Sequence, residues 1–321
     1  MPEATLRQDG CSLDYTAVAA ITGGQVIQLP DGRAAVVPTD VSAAGLGAAQ
    51  TRGVFRLAKT TSMVLLDGGR VYWDFSANKA HFKKVADQDF YVGRVVGGDA
   101  ASAATTVDVA LNINPPDLID LDRDPFTSVV VGTQALGGLL PPIRQGGSHL
   151  FNITATNEAQ KVDALSVDGF ATAANAIIEV AFRVPNGGSG SASDFSMGVA
   201  NASHASNADT ITDSIFFHLD GGSTTINAEC DDGTNETAAT TTATTFTAGI
   251  LQANRVEGWI DFRDPSSVKF YLDGVRVASG TTFSVAASTA TWKLLMHVEK
   301  TSGTETADLI VDWARVRIAD Q

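Results

Sequence analysis

Two carboxylates in one segment of the chain have the residue types that glycoside hydrolysis requires. Glu257 and Asp261 lie in the alternating segment 255–262, which predicts a strand. A retaining glycosidase holds its two carboxyl groups about 5–5.5 Å apart, and an inverting one about 6.5–9.5 Å apart. Four residues of strand span roughly 13 Å at about 3.3 Å per residue. The spacing excludes this pair, and we predict that the chain is not an enzyme.

Metal-binding and redox motifs are the next chemistry that the sequence could encode. The five histidines are isolated from one another, and we expect each to be a surface or turn residue: His81, His149, His204, His218 and His297. Cys11 and Cys230 lie in different halves of the chain, without the spacing of a zinc site, a redox motif or a disulfide framework. The sequence therefore predicts no catalytic residue, no metal site and no cofactor.

An aspartate cluster follows the paired prolines Pro115 and Pro116. Four aspartates alternate with apolar residues between positions 117 and 124, and carboxylate oxygens of this kind could bind calcium. The cluster lacks the glycine and the terminal glutamate of a recognised calcium loop. Because proline removes backbone donors, a central strand does not continue through this segment. We interpret residues 115–125 as a solvated linker, with calcium binding as the lesser alternative.

Charge and hydropathy exclude two classes of partner. Of the net charge of −14, residues 1–114 contribute 10 basic and 11 acidic side chains, and residues 115–321 contribute 12 and 25. Nucleic-acid binding needs a basic face, so we predict no nucleic-acid partner. No apolar run approaches the roughly 18–20 residues of a membrane span, and the N-terminus lacks the features of a signal peptide. We therefore expect synthesis in a cytoplasm and no membrane partner.

Short alternating segments separated by Gly, Asp and Pro turns predict an all-β fold. Their regular spacing in residues 1–114 predicts a small barrel or sandwich. Residues 126–321 contain longer strands, and Asp273-Gly274 between two alternating segments predicts a type I′ hairpin, since that turn needs φ > 0 at both central positions. We thus predict a domain at 1–114, a linker at 115–125 and a second domain at 126–321.

Several short segments of the first domain occur in the order found in a known family. They are 8–10 (QDG), 13–16 (LDYT), 24–27 (GQVI), 53–59 (GVFRLAK), 69–74 (GRVYWD), 78–79 (NK) and 92–95 (VGRV). With these segments, residues 1–114 resemble the phage capsid cement family. The resemblance implies a small β-barrel or β-tulip-like domain in a head decoration protein that binds outside the capsid shell, commonly as a trimer. It also implies the major capsid protein and further copies of the chain as partners, the outer capsid surface of the virion as location, and synthesis in the host bacterial cytoplasm.

The second domain resembles the concanavalin-like jelly-roll sandwiches of the laminin-G and lectin type. The segments that support this are 256–261, the hairpin 268–277 and the strand end 312–316. Glycosidases of this fold carry Glu-x-Asp-x-x-Glu on one strand, a motif that this sequence lacks. Because such sandwiches host sugar binding, adhesion and hydrolysis alike, the fold does not decide the function. The alternative function is therefore a carbohydrate-binding or adhesion module for host or environmental glycans.

Interface candidates come from the N-terminal arm and from aromatic residues of the first domain. The arm has no strong structural signal and could become ordered on a capsid. Adjacent residues of one strand point to opposite faces of the sheet. In each of the aromatic pairs Tyr72-Trp73 and Phe216-Phe217, we therefore expect one residue in the core and the other available for contacts. The candidate capsid or oligomer interface comprises Met1, Pro2, Glu3, Ala4, Thr5, Leu6, Arg7, Tyr15, Phe55, Tyr72 and Trp73.

Overall fold

A computed structural model describes residues 11–114, 117–133, 148–190, 192–205 and 207–318. Their regular structure consists of strands and two 3₁₀ helices, Ala208–Thr210 and Gln252–Asn254, which confirms the all-β fold class. Within these ranges, no helix has the length and apolar character needed to cross a membrane. The chain divides into two compact units, Met1–Pro115 and Pro116–Gln321.

The first unit contains two antiparallel sheets. Its strands are β1 (Ser12–Thr16), β2 (Val26–Gln28), β3 (Ala34–Val36), β4 (Leu46–Gln50), β5 (Val54–Ala58), β6 (Arg70–Asp74), β7 (Lys79–His81), β8 (Phe90–Val95) and β9 (Thr106–Leu111). One sheet has the order β1-β4-β3-β2, and the other has the order β5-β9-β8-β6-β7. A bridge between Lys59, which follows β5, and Ala80 in β7 joins the two edges of the second sheet. The five-stranded sheet therefore curls into a small barrel.

Asn112 connects the two sheets of the first unit. It follows β9 with a φ of 55°, in the left-handed region that asparagine tolerates better than most residues. Its Nδ2 donates to the carbonyl oxygens of Ala34 at 2.9 Å and Thr51 at 2.7 Å, and its Oδ1 accepts from the Ala34 N–H at 3.0 Å. Because Ala34 begins β3, one side chain joins the barrel to the four-stranded sheet.

The second unit also consists of two antiparallel sheets. Its strands are β10 (Ile119–Asp120), β11 (Phe126–Thr127), β12 (His149–Ile153), β13 (Gln160–Ser166), β14 (Phe170–Ala171), β15 (Ala176–Asn186), β16 (Ser193–Ala200), β17 (Asp213–Asp220), β18 (Thr225–Asp232), β19 (Glu236–Thr245), β20 (Val256–Asp261), β21 (Lys269–Leu272), β22 (Val275–Val277), β23 (Thr291–Lys300) and β24 (Ala307–Ile318). The smaller sheet has the order β10-β24-β15-β20-β21-β22, with β12 also paired to β24. The larger sheet has the order β11-β13-β23-β16-β17-β18-β19, with β14 also paired to β23.

The two sheets of the second unit enclose one apolar core. Side chains of a strand alternate between faces, so Val180 and Phe182 of β15 meet Phe217 of β17 and Met296 of β23 in a single cluster. All four side chains are fully buried. This arrangement is the β-sandwich predicted from the sequence.

The predicted hairpin forms between β21 and β22. Asp273 and Gly274 have φ values of 49° and 76°, as a type I′ turn requires. Leu272 and Val275 pair directly across it. The local sequence is therefore sufficient to fix this turn.

The predicted solvated linker is not separate from the second unit. Ile119 lies in β10 and pairs with Val316 of β24, and the Leu121 N–H donates to the Ala314 carbonyl at 2.9 Å. Ile119 and Leu121 alternate into the sandwich core. The linker prediction for 115–125 is wrong over these residues, because their apolar side chains are covered by the core. Pro115 and Pro116 lie outside the described residues.

The aspartates of the same segment stabilise its turn. The Asp120 N–H donates to Asp124 Oδ2 at 2.7 Å, and the Asp122 N–H donates to Asp120 Oδ1 at 2.9 Å. Asp122 also lies 2.9 Å from His149 Nε2. The turn accounts for the carboxylates of Asp120 and Asp124, and His149 accounts for that of Asp122. Calcium binding here stays an untested prediction.

We expect Asn112→Ala to lower the free energy of unfolding of the first unit by about 4 kcal/mol. Three hydrogen bonds worth roughly 1 kcal/mol each are lost, and alanine is strained at positive φ. The control is Asn78→Ala, since Asn78 also has positive φ (53°) and should lose only about 1 kcal/mol from strain. Hydrogen exchange on peptides from residues 11–114 measures both. Equal losses would contradict the connecting role of Asn112.

Candidate functional site

The first unit exposes apolar side chains where β1 and β4 end. Val18 is 92% exposed and Leu46 is 72% exposed. Thr16 pairs with Leu46, which places both apolar side chains at the same end of the β1–β4 ribbon. Val54, at the start of the edge strand β5, is also exposed. Exposed apolar groups that lie together are typical of contact surfaces, so this end of the ribbon is a candidate contact surface.

Three predicted interface residues of the first unit are half-buried. Tyr15 packs against the apolar cluster that contains Val37 and Val41. Phe55 lies in the edge strand β5. The Tyr72 ring contacts Tyr91 edge-to-face, with 5.8 Å between the ring centroids. All three keep part of their surface accessible, as a contact residue must.

The other predicted interface residues do not share this accessibility. Trp73 is 5% exposed and belongs to the core. Its assignment to an interface is wrong, because the alternation of β6 directs it inward and Tyr72 outward. Residues Met1 to Arg7 lie outside the described residues.

A row of polar side chains crosses the larger sheet of the second unit, on the face opposite the core. Cross-strand pairing places Asp163 beside His297, His297 beside Ser196, Ser196 beside His218, and His218 beside Asn227. Each is one residue from a core side chain, so alternation directs it away from the core. The first four are buried. Their polar atoms must therefore find partners inside the protein.

One end of this row is an ion-pair network. Lys161 Nζ lies 3.1 Å from Asp163 Oδ2 and donates to Ser203 Oγ at 3.0 Å, and Ser203 in turn donates to Asp163. His297 Nε2 lies 2.6 Å from Glu299 Oε2. In the described part of the chain, His297 Nδ1 and Glu299 Oε1 have no hydrogen-bond partner. The network is complete around Lys161 and incomplete around His297.

The other end of the row is centred on His218, whose ring is surrounded by carboxylates. Its Nδ1 lies 3.3 Å from Asp209 Oδ1 and 3.4 Å from Glu229 Oε1, and its Nε2 lies 3.1 Å from Asp220 Oδ1. Burial alone lowers the pKa of His218, but Glu229, Asp209 and Asp220 outweigh it and raise the pKa to about 10. The ring therefore carries a positive charge at neutral pH.

Two carboxyl groups beside His218 have raised pKa values. Burial raises the pKa of Asp194 to about 6, against the opposing charge of His218. Burial also raises the pKa of Glu229, again against His218. Carboxylates outnumber cations at this end of the row, so the local electrostatic potential favours the presence of positive charge.

A short loop holds Asp209 beside His218. The 3₁₀ helix Ala208–Thr210 begins at Asn207, whose side chain accepts from the Asp209 N–H. Ala208 and Ile211 pack on Phe216, which points to the same side of β17 as His218. Phe216 and Phe217 are both fully buried. The expectation that one of them lies at an interface is wrong, because this loop covers Phe216.

The two carboxylates first considered for hydrolysis lie in the smaller sheet and are each paired with arginine. Glu257 Oε1 lies 2.7 Å from Arg255 Nη2. Asp261 contacts Arg263 through both carboxylate oxygens, at 2.8 Å each. Both side chains are buried. The positive charges of these arginines compensate the negative charges of Glu257 and Asp261.

The expectation that the histidines are surface or turn residues is wrong for four of the five. His81, His149, His218 and His297 are buried, and His204 is half-buried. The alternation in β17, with Ile215, Phe217 and Leu219 as core residues, indicates that His218 faces away from the core. No local pattern indicates that a loop then covers that face.

Comparison with known proteins finds a family model that matches most of the first unit. Residues 7–111 match the family model described as phage cement protein, which confirms the resemblance inferred from the sequence. No curated protein matches the chain.

Solved structures similar to the chain include a carbohydrate recognition domain and two glucanases. The Emp47p carbohydrate recognition domain has 12% identity and a TM-score of 0.43, with 64% of this chain and 94% of that chain covered. The endo-1,3-beta-glucanase from Streptomyces sioyaensis has 13% identity and a TM-score of 0.43, with 64% and 98% covered. A glycoside hydrolase family 16 endo-glucanase from Bacteroides ovatus has 10% identity and a TM-score of 0.43, with 62% and 99% covered. At these identities and TM-scores, the similarity carries no argument about ligand or activity.

We expect Lys161→Met to lower the free energy of unfolding of the second unit by about 3 kcal/mol, because it leaves Asp163 buried without its cation. Denaturant unfolding of the full chain, followed by tryptophan fluorescence, measures the loss. The matched control is Lys293→Met in the neighbouring β23, where the half-buried lysine has no carboxylate partner among the described contacts. Its loss should stay within about 0.5 kcal/mol. Similar losses in both variants would contradict the importance of the Lys161–Asp163 pair.

Proposed function

We propose that this protein, whose residues 7–111 match the phage cement protein family, decorates and stabilises the outer surface of a phage capsid. The first unit contacts the major capsid protein and other copies of the chain in a homotrimer, and the second unit is displayed outward. The protein is made in the host bacterial cytoplasm and reaches the virion by assembly. The observation that carries the proposal is the family match, which spans nearly the whole first unit.

The exposed side chains of the β1–β4 ribbon support a contact role for the first unit. Val18 and Leu46 are accessible to solvent in the isolated chain. Fully burying side chains of this size contributes about 1.5–3 kcal/mol each. A capsid repeats the same contact many times, and a trimer binds through several contacts at once, so modest interfaces suffice for stable attachment.

The charge distribution supports outward display of the second unit. Residues 115–321 carry 25 acidic and 12 basic side chains, whereas residues 1–114 are nearly balanced. An acidic surface keeps a particle soluble and disfavours non-specific association. The nearly neutral first unit avoids this repulsion where neighbouring copies meet.

A glycan-binding role for the second unit is the alternative, and it has less support. Sugar rings commonly stack on exposed aromatic side chains that have polar groups nearby. Among the described residues of this unit, the aromatic side chains are buried except for Phe126 and Trp313, which are half-buried. Arg315 already lies over the Trp313 ring, 3.9 Å from its centroid. Capsid decoration therefore remains our conclusion, with a glycan array as the test of the alternative.

Co-sedimentation with phage heads that lack decoration tests the proposal. We expect the full chain to have the mass of a trimer by sedimentation velocity and to pellet with the heads. The double variant Val18→Ser, Leu46→Ser should bind heads at least tenfold more weakly, because it removes the apolar contact of the ribbon.

The matched control replaces two exposed apolar residues of the second unit, as Val167→Ser, Val275→Ser. This variant should bind heads like the unmodified chain, and circular dichroism confirms that both variants fold. A chain that does not pellet with heads would refute the decoration function. Equal weakening by both double variants would refute the assignment of the contact to the first unit.

A further inference from the structure

The carboxylates around His218 leave one buried oxygen without a hydrogen bond. Glu229 is 7% exposed, and its Oε1 accepts no hydrogen bond from the described residues. A carboxylate oxygen that is withdrawn from water needs a donor or a cation, because leaving it unsatisfied is costly. This oxygen points to the His218 ring at 3.4 Å. Nδ1 lies at ion-pair distance from both this oxygen and Asp209 Oδ1, so a metal ion that replaces the Nδ1 proton would contact both oxygens.

Three potential ligand atoms converge at that position. Asp209 and Glu229 each offer one oxygen and His218 offers Nδ1, and these atoms all lie within 4.8 Å of one another. Asp209 and Glu229 also line a cavity of about 190 Å³. Water molecules fit in a space of this size and could complete a coordination sphere.

The other side of the His218 ring is already held in place. Asp220 Oδ1 lies 3.1 Å from Nε2, and Asn227 Nδ2 donates to Asp220 Oδ2 at 3.2 Å. Histidines that bind metals commonly donate the second ring N–H to a carboxylate, which fixes the tautomer. The charged ring carries a proton at each nitrogen, so metal binding releases the Nδ1 proton and leaves the Nε2 proton directed to Asp220. Asp220 is therefore a supporting partner of the ring and not a metal ligand. For this reason we choose the Asp209–His218–Glu229 group over the Asp194–His218–Asp220 group, which shares the same ring.

We propose that Asp209, His218 and Glu229 bind a divalent first-row transition-metal ion of the Zn²⁺ class. The metal occupies the Nδ1 side of the ring, with Asp220 and Asn227 as the supporting partners on the Nε2 side. The proposal is independent of the capsid-decoration function, since all three ligands belong to the second unit and the family match lies in the first.

The donor set selects the class of metal. One imidazole nitrogen with two carboxylate oxygens suits zinc and its neighbours in the first transition row. Calcium takes six to eight oxygen ligands and disfavours imidazole. Three protein ligands also leave at least one position open to water, as in zinc sites that are not closed.

Calorimetric titration of the untagged, chelator-treated full chain with ZnCl₂ tests the site. We expect one Zn²⁺ per chain, and one Co²⁺ per chain with a visible absorption band that reports nitrogen and oxygen ligands. Glu229→Gln and Asp209→Asn should each weaken Zn²⁺ binding at least tenfold. Asp220→Asn should weaken binding about 10–100-fold, as loss of a supporting carboxylate typically does.

The matched control is Asp231→Asn, because Asp231 lines the same cavity but lies outside the ligand group. It should bind Zn²⁺ within a factor of two of the unmodified chain. The glutamine and asparagine variants preserve side-chain shape, and circular dichroism checks that they fold. The proposal is overturned if Zn²⁺ binds no more tightly to the unmodified chain than to Glu229→Gln. It is also overturned if Asp231→Asn weakens binding equally, or if Ca²⁺ binds as tightly as Zn²⁺.

Discussion

The second unit depends on the two-residue period of its strands, which directs alternate side chains into one shared apolar core. Once β15 places Phe182 inward and β17 places Phe217 inward, the intervening residues must lie on the opposite faces of the two sheets. On the larger sheet these residues include Asp163, His218 and His297. Because loops then cover this face, charged groups that would otherwise contact water are withdrawn from it and must satisfy one another.

Buried charges in both units are compensated by dense local contacts. Lys300 Nζ donates to four backbone carbonyls, and Lys59 Nζ donates to three. Burial lowers the pKa of both lysines, yet the carbonyls around them provide acceptors for the ammonium group. Lys161 is compensated instead by Asp163 and Ser203. The His218 end of the polar row differs from these lysine sites, since three carboxylates there surround one histidine ring.

The two units support different functional arguments. Residues 7–111 of the first unit match the phage cement family model, and one end of the β1–β4 ribbon exposes Val18 and Leu46. The second unit has a sandwich architecture that many unrelated functions share, so only the chemistry of its own residues is informative. That chemistry consists of paired carboxylates in the smaller sheet and a carboxylate-surrounded histidine in the larger one.

The sequence by itself determined strands such as β6 and β15, the Asp273-Gly274 hairpin and the resemblance of the first unit to the phage cement family, because alternation, turn chemistry and ordered motifs are local. It also placed Tyr72 and Trp73 on opposite faces, although only the fold decided that Trp73 is the buried one. The tertiary structure alone decided that β10 joins the sandwich and that Asp163, His297 and His218 form one row. Cross-strand neighbours depend on which strands the connections bring together and in which register, and neither follows from the spacing of residues along one strand.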